Sequence, residues 1–163
     1  MARTVLFLEL ETSLRWSFRF AAMAAKGLEL RSLVKKEGVL ELSLVEVPMP
    51  EPKDKEVIVR MEAAPLNPSD LGLLLGPSDV STLKAEHQGG LPRVTATIPP
   101  EVLGMLQARF DLSMPVGNEG AGVVVKAGQS AAAQALLGKV VGVIGTGATY
   151  AQYNTMQVDR CLV

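Results

Sequence analysis

Gly117-Asn118-Glu119-Gly120-Ala121-Gly122-Val123-Val124-Val125-Lys126-Ala127-Gly128 is the stretch on which the fold turns. Its glycines invite a dinucleotide-fingerprint reading, but that fingerprint follows a strand and opens a helix, with the glycines in the turn between them. Here the glycine cluster comes first and a Val-Val-Val run follows, so the stretch reads as a strand ending in a turn. Gly138-Lys139-Val140-Val141-Gly142-Val143-Ile144 reads as another strand. Gly145-Thr146-Gly147 runs into Ala-Thr-Tyr, and no acidic residue follows at the ribose spacing. Both glycine clusters therefore serve tight turns and close backbone packing.

Working outward, Leu30 to Val34 and Val39 to Val45 alternate in character around Lys35-Lys36-Glu37-Gly38, the pattern of a hairpin. Pro48, Pro50 and Pro52 lack the N–H of a ladder, so Val47 to Pro52 is an extended connection. Glu56 to Ala63 is a strand by its β-branched content. Asn67-Pro68-Ser69-Asp70 opens a turn or short helix that Gly76-Pro77 ends. Residues 78–114 are expected to be an irregular insertion, with a short helix from Glu101 to Phe110. A helical turn at Ala131 to Leu137 and strands at Tyr150 to Met156 and Asp159 to Val163 complete the chain. Short strands with turn signals and no βαβ alternation predict a mainly β barrel or sandwich rather than a Rossmann sheet.

The bulk numbers narrow the function classes. At 163 residues the chain suits one domain, short for an enzyme that houses both a dinucleotide and a substrate. Sixteen basic against 17 acidic residues give a net charge of −1 with no basic run, which leaves no footprint for nucleic acid. Glu9, Glu11 and Arg15 interrupt the N-terminal apolar stretch, so no segment approaches the roughly 20 residues of a membrane span. A lone Cys161 excludes an intrachain disulfide and a multi-thiolate zinc site, and fits a cytoplasmic or organellar interior, mitochondrial or plastid. Residues 1–22 crowd in aromatics and are read as an N-terminal extension, a targeting segment or a gene-start artefact upstream of Met23.

The order Val57 to Ala63, Leu66-Asn67-Pro68-Ser69-Asp70, Gly117 to Val124, Gly138-Lys139-Val140-Val141 and Tyr150-Ala151-Gln152-Tyr153 resembles the N-terminal half of the medium-chain dehydrogenase/reductase superfamily. The resemblance runs from about Leu30 to Val163 and lies in order and spacing rather than in any single motif. It implies a GroES-like, partly open β-barrel with short helices over residues 23–163. The chain ends where the resemblance would place the start of the Rossmann nucleotide-binding domain, expected to be absent from this chain. In the zinc-dependent relatives the positions matching Asn67 and Asn118 are a metal-binding cysteine and histidine, and amides are poor ligands for zinc. The Asn-Pro-Ser-Asp version resembles the zinc-independent quinone oxidoreductase and enoyl-thioester reductase branch. That branch implies hydride transfer from NADPH to a small-molecule carbonyl substrate, and a homodimer that pairs mainly through the other domain.

The same resemblance makes Asn67 the candidate catalytic residue, lying near nicotinamide and substrate, and Asn67 with Tyr150 the candidate cofactor contacts. Asn67 as a plain cap of the following turn is the alternative. Ser69 matches a proton-relaying hydroxyl, and Asp70 is read as structural, holding at most an amide or a backbone N–H. Enoyl reductases of this kind carry a tyrosine donor where this chain has Ser78, and quinone reductases carry one where it has Gly72, so the proton donor departs from the pattern. His87 is read as exposed, Cys161 as a buried small hydrophobe and Glu119 as a structural carboxylate. The functional alternative is a non-catalytic β-barrel binding module or a truncated gene product.

Overall fold

The computed structural model describes residues 25–145 and 147–163. The expected extension at 1–22 lies outside the described residues.

Two five-stranded sheets make up the domain, and every pairing between their strands is antiparallel. In chain order the strands are β1 (Lys26–Lys35), β2 (Val39–Pro48), β3 (Glu56–Ala63), β4 (Asp79–Gln88), β5 (Leu91–Thr97), β6 (Met114–Pro115), β7 (Glu119–Ala127), β8 (Val140–Ile144), β9 (Tyr153–Gln157) and β10 (Cys161–Leu162). One sheet has the order β4-β5-β2-β1-β6 and the other β10-β8-β7-β3-β9. The α-helices are single turns, α1 (Leu71–Leu74), α2 (Pro100–Leu103) and α3 (Ala131–Gln134). The sheets join where Leu30 N–H donates to Tyr150 O at 2.9 Å and Gln152 N–H donates to Leu28 O at 2.8 Å, with a bridge between Glu29 and Ala151. The result is a curled, partly open β structure of the GroES-like kind, with no parallel sheet among the described residues.

The expected hairpin is β1–β2, in register from Lys35 opposite Val39 to Lys26 opposite Pro48. Gly38 closes it with φ of 79°, its N–H donating to Lys35 O at 3.0 Å. That conformation is open to glycine at little cost. Pairing carries β2 through Val47 and Pro48, two residues into the expected connection. Proline is tolerated there because it is the last residue of its strand.

The expectation of an irregular 78–114 is corrected. Asp79 to Thr97 form the β4–β5 hairpin around Gly89-Gly90, and β5 adds to β2 from Thr97 opposite Val39 to Arg93 opposite Ser43. Polar residues with little alternation hide such strands, because an exposed edge hairpin is specified by backbone pairing rather than by a buried face. The expected helix at Glu101 to Phe110 is α2 followed by a 3-10 segment, Gly104–Arg109.

Two apolar clusters hold the sheets. Val57 and Val59 of β3 pack with Val124, Val141, Val143, Met156 and Ala133, and all of these are nearly or fully buried. Val34, Leu40 and Ile98 form the second, covered by Val102, Leu103, Leu106 and Phe110. Burying each such side chain is worth about 1.5–3 kcal/mol. β3 is central, flanked by β7 and β9, so Val57, Ile58 and Val59 are buried in succession. Cys161 is half-buried rather than buried, because β10 is an edge strand, and burial with nearby Asp159 pushes its thiol pKa up.

The glycine cluster of β7 is a packing device. A methyl group at Gly122 would overlap the Arg60 carbonyl, and one at Gly120 would meet Met61 and the Ala63 carbonyl. Gly104, in contrast, has helical dihedrals and open space around it. Gly122→Ala is expected to lose about 1–3 kcal/mol through forced separation of β3 and β7, or to fail to fold. Gly104→Ala is expected to be neutral within error, and matched urea melts that show equal midpoints for the two variants would contradict this account.

Candidate functional site

Asp70 is the point on which three separated stretches converge. It is 2% exposed, and its Oδ2 accepts the Asn67 N–H at 2.8 Å and the Tyr150 hydroxyl at 3.0 Å. Its Oδ1 accepts from Asn118 Nδ2 at 3.3 Å. All three partners are donors, so the carboxylate acts as acceptor only. Asp70 thus holds the amide and the backbone N–H expected of it, and the Tyr150 phenol in addition.

Local chemistry explains the placement. The Asn67 carbonyl accepts the Asp70 N–H at 3.0 Å while the Asp70 side chain returns to the Asn67 N–H, a reciprocal closure that fixes the turn before α1. Asp70 is the N-cap position of α1, yet its side chain makes no cap bond to the helix. Gly117, with φ of 94°, lets the 148–150 stretch approach, since a Cβ there would press on Thr149 and on the Tyr150 ring and N–H. Tyr150 N–H then donates to Val116 O at 3.1 Å and Thr149 N–H to Gly117 O at 3.2 Å.

Asn67 and Tyr150 are brought together through Asp70 but are engaged differently. Asn67 takes part through its backbone alone; among the described residues its half-buried side-chain amide has no hydrogen-bond partner. The cap alternative is set aside, because a cap would commit that side chain. Tyr150 is committed: its hydroxyl lies 2.8 Å from Pro65 O and 3.0 Å from Asp70 Oδ2, and one phenolic proton serves both. Burial, then the Asp70 hydrogen bond and charge, push its pKa up to about 12. The ring still lines a small cavity of about 190 Å³ with Met61, Glu62 and Thr149.

The other sequence candidates fall outside this convergence. Ser69 is exposed. Ser78 donates its hydroxyl to Leu75 O at 2.6 Å, which spends it locally. Gly72 faces open space. His87 is exposed on β4, and Glu119 lines a mainly apolar cavity of about 320 Å³ with Ala63, Pro65, Ile144 and Leu162. A larger cavity of about 630 Å³ lies away from the site, between β2 and the β4–β5 turn. Its charged groups are paired already: Arg93 with Glu86 and Glu41, and Glu41 with Lys35. Missed by sequence reasoning were Ser32, fully buried in β1, and Arg109, which donates to its hydroxyl at 3.0 Å. A serine and an arginine in unremarkable contexts carry no signal for a contact so distant in sequence.

Among the described residues no three His, Cys, Asp or Glu side chains gather as a metal would require. No protein-family model matches the chain. A zinc-type alcohol dehydrogenase-like protein of Schizosaccharomyces pombe is 51% identical over 43 residues, which is 26% of this chain and 13% of that protein. The quinone oxidoreductase of Escherichia coli, solved in complex with NADPH, superposes with a TM-score of 0.52 at 19% identity over 85% of this chain and 33% of its own. The quinone oxidoreductase of Coxiella burnetii gives 0.53 at 18%, over 85% and 37%. The JamJ enoyl reductase in its apo form gives 0.53 at 20%, over 85% and 35%. The fold is the GroES-like one that these quinone oxidoreductase and enoyl reductase structures share over the matched part. The chain spans about a third of the length of these structures.

The raised Tyr150 pKa has a consequence for stability. An unfolded tyrosine ionises near 10. A folded value of about 12 means that folding favours the neutral phenol. The associated stability is fully present below about pH 10 and is lost as pH rises through 12. Wild-type minus Tyr150→Phe difference titration at the phenolate absorbance should show a midpoint near 12; a midpoint near 10 would contradict the burial and the Asp70 contact. The stability gap between the two proteins should narrow over the same alkaline window.

Proposed function

We propose that this chain is the substrate-side domain of an NADPH-dependent oxidoreductase that reduces quinones, enones or enoyl thioesters without zinc. The observation that carries the reading is the pair of amides around Asp70: Asn118 gives its Nδ2 to the carboxylate, and Asn67 keeps its own side chain free beside it. Catalytic zinc takes thiolate, imidazole or carboxylate ligands. Here the only carboxylate of the cluster is occupied by three donors. The fission-yeast protein of the zinc type matches over 26% of this chain and 13% of its own length.

The described residues fit the nicotinamide end of NADPH and not its pyrophosphate end. A pyrophosphate cradle needs a glycine-rich turn opening a helix of useful length. The helices here are four residues long, and the glycine cluster enters β7. The dinucleotide would therefore be held by a nucleotide-binding domain, with Asn67 and the Tyr150 ring as contacts from this one. NADPH when bound supplies a hydride to the carbon conjugated with the carbonyl. The chain's own part would be to orient that carbonyl: the Asn67 side-chain amide, which has no partner among the described residues, would donate to its oxygen as negative charge develops there. Tyr150 keeps its phenolic proton, donated towards Asp70 Oδ2 and Pro65 O, and acts as wall, so the carbon-bound proton would come from solvent. Asp70 holds the turn, Asn118 and Tyr150 in one geometry, which is what near-attack positioning requires.

Two measurements test this. Protein purified and mildly dialysed should hold no stoichiometric zinc; one zinc per chain would overturn the zinc-free reading. This chain on its own should bind NADPH more weakly than about micromolar, since neutral contacts alone do not offset the entropy of immobilising so large a ligand. Calorimetric binding at micromolar strength, or quinone turnover above buffer, would show that the cofactor site is complete here.

A further inference from the structure

Arg109 closes the 3-10 segment and reaches back over α1. Its Nη2 donates to Ser32 Oγ at 3.0 Å and its Nη1 lies 3.4 Å from the Gly72 carbonyl. Ser32 is fully buried and donates its own proton to Leu73 O at 2.6 Å, so the hydroxyl is fixed as an acceptor for the guanidinium. Among the described residues no carboxylate forms an ion pair with Arg109. Asp111, two residues on, pairs with Lys36 at 3.3 Å instead. Nε is buried without an acceptor, and burial pulls the Arg109 pKa down from its ordinary value.

A half-buried guanidinium without a counter-ion is unusual, because desolvating a charge is costly unless a partner charge repays it. An arginine has five N–H donors in a planar fork matched to carboxylate and phosphate. Two are used here, one from Nη2 to Ser32 and one from Nη1 towards Gly72, which leaves one N–H unused on each of these nitrogens. Gly72 provides room beside them, since a Cβ there would meet nothing within 4 Å. Gly72 is the second residue of α1, two positions past Asp70 and so about 3 Å further along the helix axis, which puts the fork's carbonyl contact on the short helix that begins at the Asn67–Asp70 turn.

The geometry points to Arg109, held by Ser32, as the anchor for an oxyanion of the substrate, a carboxylate or phosphate seated over Gly72. The substrate class narrows from conjugated carbonyl compounds in general to those carrying an anionic group a few bonds from the carbonyl. The inference rests on the proposed function for the position of the carbonyl at Asn67, and on Arg109 alone for the anion.

The test is a titration of the ¹⁵N-labelled chain followed through the Arg109 Nε–Hε and the Gly72 and Asn67 amide signals. The probes are inorganic phosphate, acetate and the neutral 2-cyclohexen-1-one, each against sodium chloride at matched ionic strength. Phosphate or acetate is expected to shift the Arg109 and Gly72 signals saturably, with affinity reduced about tenfold or more in Arg109→Gln. Whichever of the two saturates at lower concentration identifies the anion. Shifts no larger than those from chloride, or saturation unchanged in Arg109→Gln, would overturn the inference. Should Arg109→Gln not fold, the wild-type titration and Arg109→Lys, which keeps the charge but loses the fork, decide the matter. If 2-cyclohexen-1-one shifts Asn67 while the anions do nothing, the proposed function stands and the anchor falls. If the anions bind and the enone does not, the anchor stands and the carbonyl placement falls.

Discussion

Three donors from three parts of the chain meet on one buried carboxylate, and the geometry of the candidate site depends on that meeting. Asn67, Asn118 and Tyr150 are as many as 83 positions apart in sequence, yet each hydrogen-bonds Asp70. A buried carboxylate left without donors is strongly unfavourable, and donors left without it lose their partners at about 1–3 kcal/mol each. The cluster is thus all-or-none: it holds the turn before α1, the entry to β7 and the chain before β9 together. The same closure that fixes Tyr150 commits its hydroxyl and leaves the Asn67 side-chain amide without a partner among the described residues.

The barrel supplies what this closure requires. β7 lies against β3 because Gly120 and Gly122 present no side chain to it, and Gly117 admits the Thr149–Tyr150 backbone in the same way. Close backbone approach at these places sets where Asn118 and Tyr150 emerge. The valine-rich core behind them, centred on β3, gives the rigidity that a positioned site needs. α1 is too short to be stable by itself and is held from outside, by Asp70 at one end and by Arg109 and Ser32 at the other. The two fastenings link the amide cluster to the guanidinium across a single helical turn.

Much of this was legible in the chain. The hairpin at Lys35–Gly38, the strand at Glu56–Ala63, the turn at Asn67–Asp70 and the glycine-led strand of β7 follow from period and turn chemistry, which act over a few residues and leave their trace in order. The glycines of β7 were assigned to close packing because a helix did not follow them, and the structure places β3 backbone where their side chains would be. Asp70 as a structural acceptor of an amide or a backbone N–H followed from the family resemblance, and the structure shows it taking both and the Tyr150 phenol as well. The β4–β5 hairpin was not, since β4 is exposed almost throughout and β5 buries only Ala96, too little to impose a pattern on the side chains.

The sequence by itself thus determined the fold class, the strands outside residues 78–114 and the presence of amides at positions 67 and 118, because these depend on local periodicity and on residue identity. Only the tertiary structure decided which groups are free to act. Tyr150 carries the same phenol in any conformation, but its commitment to Asp70 and Pro65 depends on contacts across some 80 residues. Asn67 keeps its side-chain amide free because the Asp70 carboxylate closes the turn on the Asn67 backbone N–H, and among the described residues Arg109 has no carboxylate partner while Asp111 pairs with Lys36. Hydrogen bonding and charge pairing are settled by distances of a few ångströms between remote segments, and such distances exist only once the chain has folded.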